Sequence, residues 1–360
     1  MSTKVVFITN NSGGLYRFRR EVVEAFCKKA EVYLCMPDEE YREHWESIGC
    51  KFAPCSFDGR GTNPFKDLKQ LRTYKKILDE IKPDLCFTFT IKPNVYGGMA
   101  CAAKRIPYVA NVTGLGTAVE SGGFLAKVSL MLYKRGLRKA RKVFFQNKEN
   151  KDFMVGRGIV SGPYEVLPGS GVNLEQFALL PYPSDKVRFS FIGRIMREKG
   201  IEQFLEAAEE VTKKHPDVEF HVFGGCEQDY EGQLRTLQEK GVITFHGSAT
   251  NMTEVYQMTS CTVHPSYYPE GMSNVLLESC ASGRPIITTD RPGCREALED
   301  GVNGFVIEKK NAMDLIDKIE RFLALSWEER RKMGLAGRTK VEREFDRKIV
   351  VRKYLKEMKG

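Results

Sequence analysis

The sequence predicts an α/β chain of two doubly wound parallel-sheet, Rossmann-like domains facing each other across a cleft. Three observations predict it. Short β-branched and aromatic runs alternate with amphipathic stretches along the chain, the pattern of parallel sheets covered by helices on both faces. The alternation restarts near Val187, after a Gly/Pro-rich stretch, Leu167-Pro168-Gly169-Ser170-Gly171-Val172-Asn173, and Pro181-Tyr182-Pro183. The chain's 360 residues, 42% of them hydrophobic, suffice for two domains with cores of their own. The expected organisation is a first domain over residues 1–168, a second over 169–340, and a C-terminal helix over 341–360 packing back on the first.

In chain order, the first half offers strands at residues 5–9, 32–35, 51–55, 85–88, 108–111 and 143–146, with helical patterns at 15–28, 65–81 and 127–141. The second half offers strands at 188–192, 219–223, 243–246, 262–265, 285–288 and 304–307, with helices at 201–214, 230–240, 252–258 and 274–281. The tail, 326–359, is charged and helical in pattern, with apolar positions suited to packing on a domain surface. No apolar run reaches the ~18–20 residues of a membrane-spanning helix. The N-terminal Met1-Ser2-Thr3-Lys4 leads into a first strand and is too short for a signal-peptide core. Ten cysteines without a C-x-x-C pair suggest packed, reduced thiols and a cytoplasmic location.

The formal charge of +9 is uneven. Residues 1–168 hold 28 Lys and Arg against 17 Asp and Glu, whereas residues 169–360 hold 28 against 30. The first half is therefore expected to meet something anionic: nucleic acid, a membrane face or a polyphosphate. A nucleic-acid reading finds no helix-turn-helix, zinc-finger or aromatic RNA-binding signature.

Three segments carry chemistry. Asn10-Asn11-Ser12-Gly13-Gly14-Leu15 follows the first strand, and its glycines would let the backbone approach a phosphate at a helix N-terminus. It lacks the G-x-G-x-x-G of a dinucleotide site and a Walker lysine, and an ordinary strand-to-helix turn is the competing reading. Gly193-Arg194-Ile195-Met196-Arg197-Glu198-Lys199-Gly200 follows the first strand of the second domain. There Arg194 and Lys199 would form a diphosphate clamp at the carboxyl end of a parallel sheet; two solvated cations on a loop are the alternative. In Pro269-Glu270-Gly271-Met272-Ser273-Asn274-Val275-Leu276-Leu277-Glu278, Ser273 or Asn274 can cap a helix, leaving the N–H groups of about Met272 to Val275 for phosphate. Glu278 could accept from ribose hydroxyls and Glu270 from a sugar. Two exposed glutamates on one helix would be the bland reading of this spacing, but here they flank the cap.

These residues carry a resemblance. Gly-Arg-x4-Lys-Gly at 193–200, Val222-Phe223-Gly224-Gly225, Phe245-His246-Gly247, His264-Pro265-Ser266 and the E-x7-E of Glu270 and Glu278 resemble the retaining glycosyltransferases of family 4, which have the GT-B fold. Thr90-Ile91-Lys92-Pro93-Asn94-Val95-Tyr96-Gly97-Gly98 and Asn111-Val112-Thr113-Gly114-Leu115-Gly116 are similar to the bacterial subgroup that adds hexose or N-acetylhexosamine to undecaprenyl-diphosphate-linked saccharides. The resemblance implies a UDP-sugar donor held by Arg194 and Lys199 at the diphosphate and Glu278 at the ribose. Glu270 and the backbone of Gly271, Met272, Ser273, Asn274 and Val275 would line phosphate and sugar, Gly14 would approach the donor, and Gly224 and Ser248 would face the base. Many members carry a histidine where this chain reads Asn111-Val112-Thr113-Gly114; Lys92, Asn111 and Thr113 are the candidates here for the sugar or acceptor phosphate. With no D-x-D at a strand end and no His/Cys cluster of ligand spacing, the expectation is retaining transfer without metal or other cofactor. A nucleotide-sugar epimerase of the same fold is the alternative enzyme.

Residues 121–148 contain no acidic residue. Within them an apolar run from Phe124 precedes a basic one with Lys134, Arg135, Arg138 and Lys139. On a helix this suits an anionic bilayer face, and peripheral association with the cytoplasmic membrane is expected. A core-packed helix with a solvated basic end is the competing reading.

Overall fold

In the computed structural model, which describes residues 2–37, 40–53, 55, 64–116, 119 and 122–359, two all-parallel sheets carry the chain. Strands β1 (Lys4–Ile8), β2 (Glu31–Cys35), β3 (Lys51–Phe52), β4 (Leu85–Phe89), β5 (Tyr108–Val112), β6 (Lys142–Phe145) and β7 (Tyr164–Val166) form the first, in the order 3-2-1-4-5-6-7. Both sides of each central strand are buried: Val5 and Phe7 on one face of β1, Val6 and Ile8 on the other. That is why these strands read as near-continuous apolar runs. Helices α1 (Ser12–Cys27), α2 (Arg42–Ser47), α3 (Pro64–Ile81), α4 (Gly98–Lys104), α5 (Gly123–Leu137) and α6 (Lys148–Gly156) connect them, with a π-helical turn over Pro93–Gly97.

The second sheet has β8 (Arg188–Ile192), β9 (Glu219–Phe223), β10 (Thr244–Gly247), β11 (Cys261–His264), β12 (Ile286–Thr289) and β13 (Gly304–Ile307), in the order 10-9-8-11-12-13. Its helices are α7 (Ile201–Lys214), α8 (Glu231–Glu239), α9 (Met252–Met258), α10 (Asn274–Ala281), α11 (Ala312–Leu323) and α12 (Trp327–Glu344). Ser326 and Glu329 start α12 with a reciprocal capping box.

The chain divides into two compact units: unit 1 is Met1–Ser170, Pro269–Met272 and Arg347–Gly360, and unit 2 is Gly171–Tyr268 and Ser273–Asp346. The last helix, α13 (Arg347–Lys356), belongs to unit 1. There Arg347 Nη1 donates to both oxygens of the Glu21 carboxylate of α1, at 3.0 and 2.9 Å, and Tyr354 is fully buried among Phe87, Phe89 and Phe144. Burying a ring of that size is worth about 2 kcal/mol or more.

Several elements depart from the sequence reading. Strand β3 stops at Phe52, and Pro54 of the expected 51–55 strand lies outside the described residues. The helix expected at 127–141 begins at Gly123, with both Gly122 and Gly123 at positive φ, and ends at Leu137. Strand β7 and helices α2, α4, α6 and α11 are additional. Helix α6 is announced only by Asn147, whose side chain caps Asn150 N–H.

Candidate functional site

The second sheet reverses its strand order between β8 and β11. Ligands of open α/β sheets bind outside the carboxyl ends of the strands at such a point. Here β8 runs into Gly193 and Arg194, and β11 into Pro265, Ser266, Tyr267 and Tyr268. Gly193 N–H donates to the Phe223 carbonyl and Ile195 N–H to the Gly225 carbonyl, both at 2.9 Å, so the loops after β8 and β9 run side by side. Their approach is close enough that a Cβ on Gly224, at φ +153°, would overlap the Gly193 carbonyl oxygen. Ser248, exposed after β10, borders the same loops: a Cβ on Gly225 would lie 3.2 Å from its hydroxyl oxygen.

Arg194 donates from Nη1 to Glu227 Oε2 at 2.9 Å, and its guanidinium lies 4.8 Å from the centre of the Tyr268 ring. Lys199 sits in the 3₁₀ turn Arg197–Lys199, only 8% exposed, with its ammonium 5.3 Å from the same ring. Two cations thus converge on Tyr268, a residue that the sequence reading did not single out. Gly200 makes this possible: it adopts a left-handed φ of +80°, and a Cβ there would overlap the Pro265 carbonyl.

Helix α10 begins in the same unit. Ser273 occupies the N-cap position, but its hydroxyl pairs with His264 Nε2 at 3.2 Å and makes no cap bond. Asn274 Oδ1 is buried without a hydrogen-bond partner. The expected capping by Ser273 or Asn274 is therefore corrected. His264 diverts the serine, and the first-turn N–H groups keep no side-chain cap among the described residues. An uncapped helix N-terminus is an anion-binding arrangement. One turn on, Glu278 Oε2 accepts from the Tyr256 hydroxyl of α9 at 3.1 Å. Burial first, and the Glu278 carboxylate second, push that hydroxyl well above its ordinary pKa, so it remains a donor. Tyr256 thus orients Glu278, a role invisible in the E-x7-E spacing. Tyr256→Phe is expected to raise the Kd for a ligand bound by Glu278 about tenfold through loss of this charge-assisted bond; an unchanged Kd by titration calorimetry would count against the role.

In unit 1 the candidate residues fare differently. Gly14 N–H donates to the Asn11 carboxamide oxygen, which caps α1, so that N–H is already engaged. Asn111 is a core residue: its amide donates to the Thr88 carbonyl at 3.0 Å and its oxygen accepts from the Tyr354 hydroxyl. Its side chain is committed within the fold, which corrects its candidacy for a substrate group. Lys92 is ion-paired with Asp67 at 3.1 Å in a half-buried setting. Thr113 lies beside the Pro269–Met272 segment, where a Cβ on Gly271 would overlap both its carbonyl oxygen and Gln146 Oε1. Asn147 Nδ2 donates to the carbonyls of Glu270 at 3.2 Å and Gly271 at 2.7 Å, and Met272 is buried. Glu270 thus falls in unit 1 and Glu278 in unit 2. The sequence places both in the expected second domain, 169–340.

Helix α5 packs one face inward. Gly136 and Gly98 meet so closely that a Cβ on Gly98 would overlap the Gly136 carbonyl, and Tyr133 and Leu137 are buried. Lys134, Arg135, Arg138 and Lys139 are all exposed, as are Phe124 at 79%, Leu125 at 62% and Met131 at 63%. Among the described residues, no helix is long and apolar enough to cross a membrane.

Residues 4–147 match the family model of glycosyl transferase 4-like domains, and residues 173–340 that of glycosyl transferases group 1. An N,N'-diacetylbacillosaminyl-diphospho-undecaprenol alpha-1,3-N-acetylgalactosaminyltransferase of Campylobacter jejuni is 28% identical, over 98% of this chain and 97% of its own length. A UDP-Gal:alpha-D-GlcNAc-diphosphoundecaprenol alpha-1,3-galactosyltransferase of Escherichia coli is 25% identical, over 73% of this chain and 72% of its own. Among solved structures, Anabaena HepE in complex with UDP and glucose superposes with a TM-score of 0.81 at 17% identity, covering 99% of both chains.

Proposed function

Because the chain is a glycosyltransferase of the group 1 family with the GT-B fold, we propose that it moves a hexose or N-acetylhexosamine from a UDP-sugar to a saccharide carried on a lipid diphosphate. The observation that carries the reading is the convergence of Arg194 and Lys199 on Tyr268 at the strand-order reversal. Full-length similarity to a transferase acting on a diphospho-undecaprenol saccharide supports the acceptor class. The epimerase and nucleic-acid readings gain no support from these matches.

Arg194, Lys199 and the uncapped N-terminus of α10, from Ser273 to Val275, hold the donor diphosphate. Glu278, oriented by Tyr256, takes the ribose hydroxyls, and Gly224 and Ser248 border the uracil. On unit 1, Glu270 and Thr113 are the remaining candidates for sugar hydroxyls. A thermal-shift panel tests the donor class, since a ligand bound only by the folded state stabilises it by about 2.7 kcal/mol at 100 times its Kd. UDP and UDP-sugars raise the melting temperature and GDP and ADP do not; a larger shift with GDP or ADP would overturn the assignment.

Transfer proceeds with retention and without a metal. The α-linkages in the relatives' names support retention from an α-linked nucleotide sugar. Fixed cations and helix N–H groups placed where charge develops on the leaving diphosphate can stabilise it without a divalent ion. Turnover in EDTA should equal turnover in its absence. Loss of turnover that only Mg²⁺ or Mn²⁺ restores would sink metal independence.

The enzyme works on the inner face of the cytoplasmic membrane, held peripherally by α5. Exposed Phe124, Leu125 and Met131 beside exposed cations support this placement. Each basic residue near an anionic surface is worth about 1 kcal/mol, so reversing Lys134, Arg135, Arg138 and Lys139 together is expected to abolish co-sedimentation with anionic vesicles. Equal sedimentation of the reversed variant would refute the placement.

A further inference from the structure

A cavity of about 500 Å³ lies in unit 1 between α3 and α5, within the ~300–1,000 Å³ range of ligand pockets. Its wall is apolar: Leu71, Val95, Met99, Val128 and Leu132 line it, and Leu68 and Leu125 add side chains that are also solvent-exposed. Residues 125, 128 and 132 share one face of α5 by helical spacing, and Leu68 and Leu71 share one face of α3. The charged lining groups neutralise each other, since Asp67 pairs with Lys92 at 3.1 Å and accepts from the Tyr96 hydroxyl at 2.7 Å. The cavity therefore presents hydrocarbon with no net charge. Cations predominate around the cavity: Lys66, Lys69 and Arg72 in the first half of α3 and Lys127, Lys134 and Arg135 on α5 are exposed, α5 carries no acidic residue, and the exposed acids of α3, Asp79 and Glu80, stand at its far end. An apolar chamber framed by cations complements an amphiphile with a long hydrocarbon chain and an anionic head.

We propose that this cavity receives the isoprenoid chain of the acceptor, seating the hydrocarbon that adjoins the lipid diphosphate. The proposal rests on the lipid-diphosphate acceptor class argued above and adds a chain-binding site to it. It makes the enzyme a reader of the lipid as well as of the saccharide: hydrocarbon between α3 and α5 adds affinity that a free diphosphate lacks.

Geranylgeranyl diphosphate, which carries chain and diphosphate but no sugar, is the probe, titrated calorimetrically into the full chain below its micellar concentration. The wild type is expected to bind it at least tenfold more tightly than inorganic diphosphate. Val128→Trp, which fills the cavity, is expected to remove that difference while the UDP-induced thermal shift persists. Leu125→Asp, a change at a side chain already 62% exposed, provides the second arm should the tryptophan disturb folding, with the same loss expected. Equal binding of geranylgeranyl and inorganic diphosphate by the wild type would overturn the proposal. So would undiminished binding by a variant that retains the UDP shift. Equal competition by a lysophosphatidylglycerol would also overturn it, by making the cavity a general acyl site. The acceptor class is scored separately by saccharide transfer: absence of transfer with intact cavity-dependent probe binding would defeat that reading and leave the chain site standing.

Discussion

Lys199→Ala is expected to lower kcat/KM by about 10²–10³-fold, the loss typical of removing one group that stabilises transition-state charge. The lysine is nearly buried, sits in a single 3₁₀ turn, and shares the Tyr268 ring with Arg194. A buried ammonium acts on the leaving diphosphate with little screening, whereas Arg194 is partly exposed and already donates to Glu227. Arg194→Ala should therefore cost less than Lys199→Ala. The fall is expected mainly in kcat, because charge on the diphosphate grows as the sugar leaves. Lys199→Arg should not restore the rate, since a planar fork cannot replace a compact ammonium in a closed turn. Steady-state kinetics within twofold of wild type for Lys199→Ala would remove the lysine from the mechanism.

Gly224→Ala is expected to destabilise unit 2 by about 3 kcal/mol, and to abolish most activity with it. Its φ of +153° is one that residues with a Cβ rarely adopt, and the added carbon would overlap the Gly193 carbonyl oxygen. Relief requires the loops after β8 and β9 to part, which moves Arg194. Gly232→Ala is the control: it lies in α8 with nothing within 4 Å of a built Cβ, and the substitution should be neutral or stabilising by ~0.5 kcal/mol. Urea unfolding reads both. Equal midpoints for Gly224→Ala and wild type would show that the loops tolerate the carbon.

What the sequence could and could not say follows from which contacts are local. Strands such as β1, β4, β8 and β9 are legible because residues on both faces are buried, so each reads as a short, mostly apolar run rich in aromatic and β-branched residues. The Arg194–Lys199 pair is legible because Gly193, Arg194, Lys199 and Gly200 stand within one short segment. Their meeting point is not, since Tyr268 joins them only when β8 and β11 become neighbours. Ser273 looks like a cap in sequence, and only the fold brings His264 to its hydroxyl. Asn111, at the end of an expected strand and three residues before Gly114, is offered by the sequence as a substrate group, yet it is tied to Tyr354, 243 positions later. Tyr256 and Glu278 are likewise separated by the whole of β11 and its loop. Helix α6 was missed because its first turn, Lys148-Glu149-Asn150-Lys151, is polar throughout and its apolar face is short.

The proposed reaction is transfer of a sugar from a UDP-sugar to a lipid-diphosphate-linked saccharide. The measurement that tests it most directly is mass spectrometry and NMR of a synthetic polyprenyl-diphosphate monosaccharide after incubation with UDP-N-acetylgalactosamine, UDP-N-acetylglucosamine, UDP-galactose or UDP-glucose in EDTA. One donor is expected to add a single hexose or N-acetylhexosamine in α-linkage to the acceptor, with release of UDP. An unaltered acceptor with every donor, alongside a donor sugar epimerised or left intact, would contradict it.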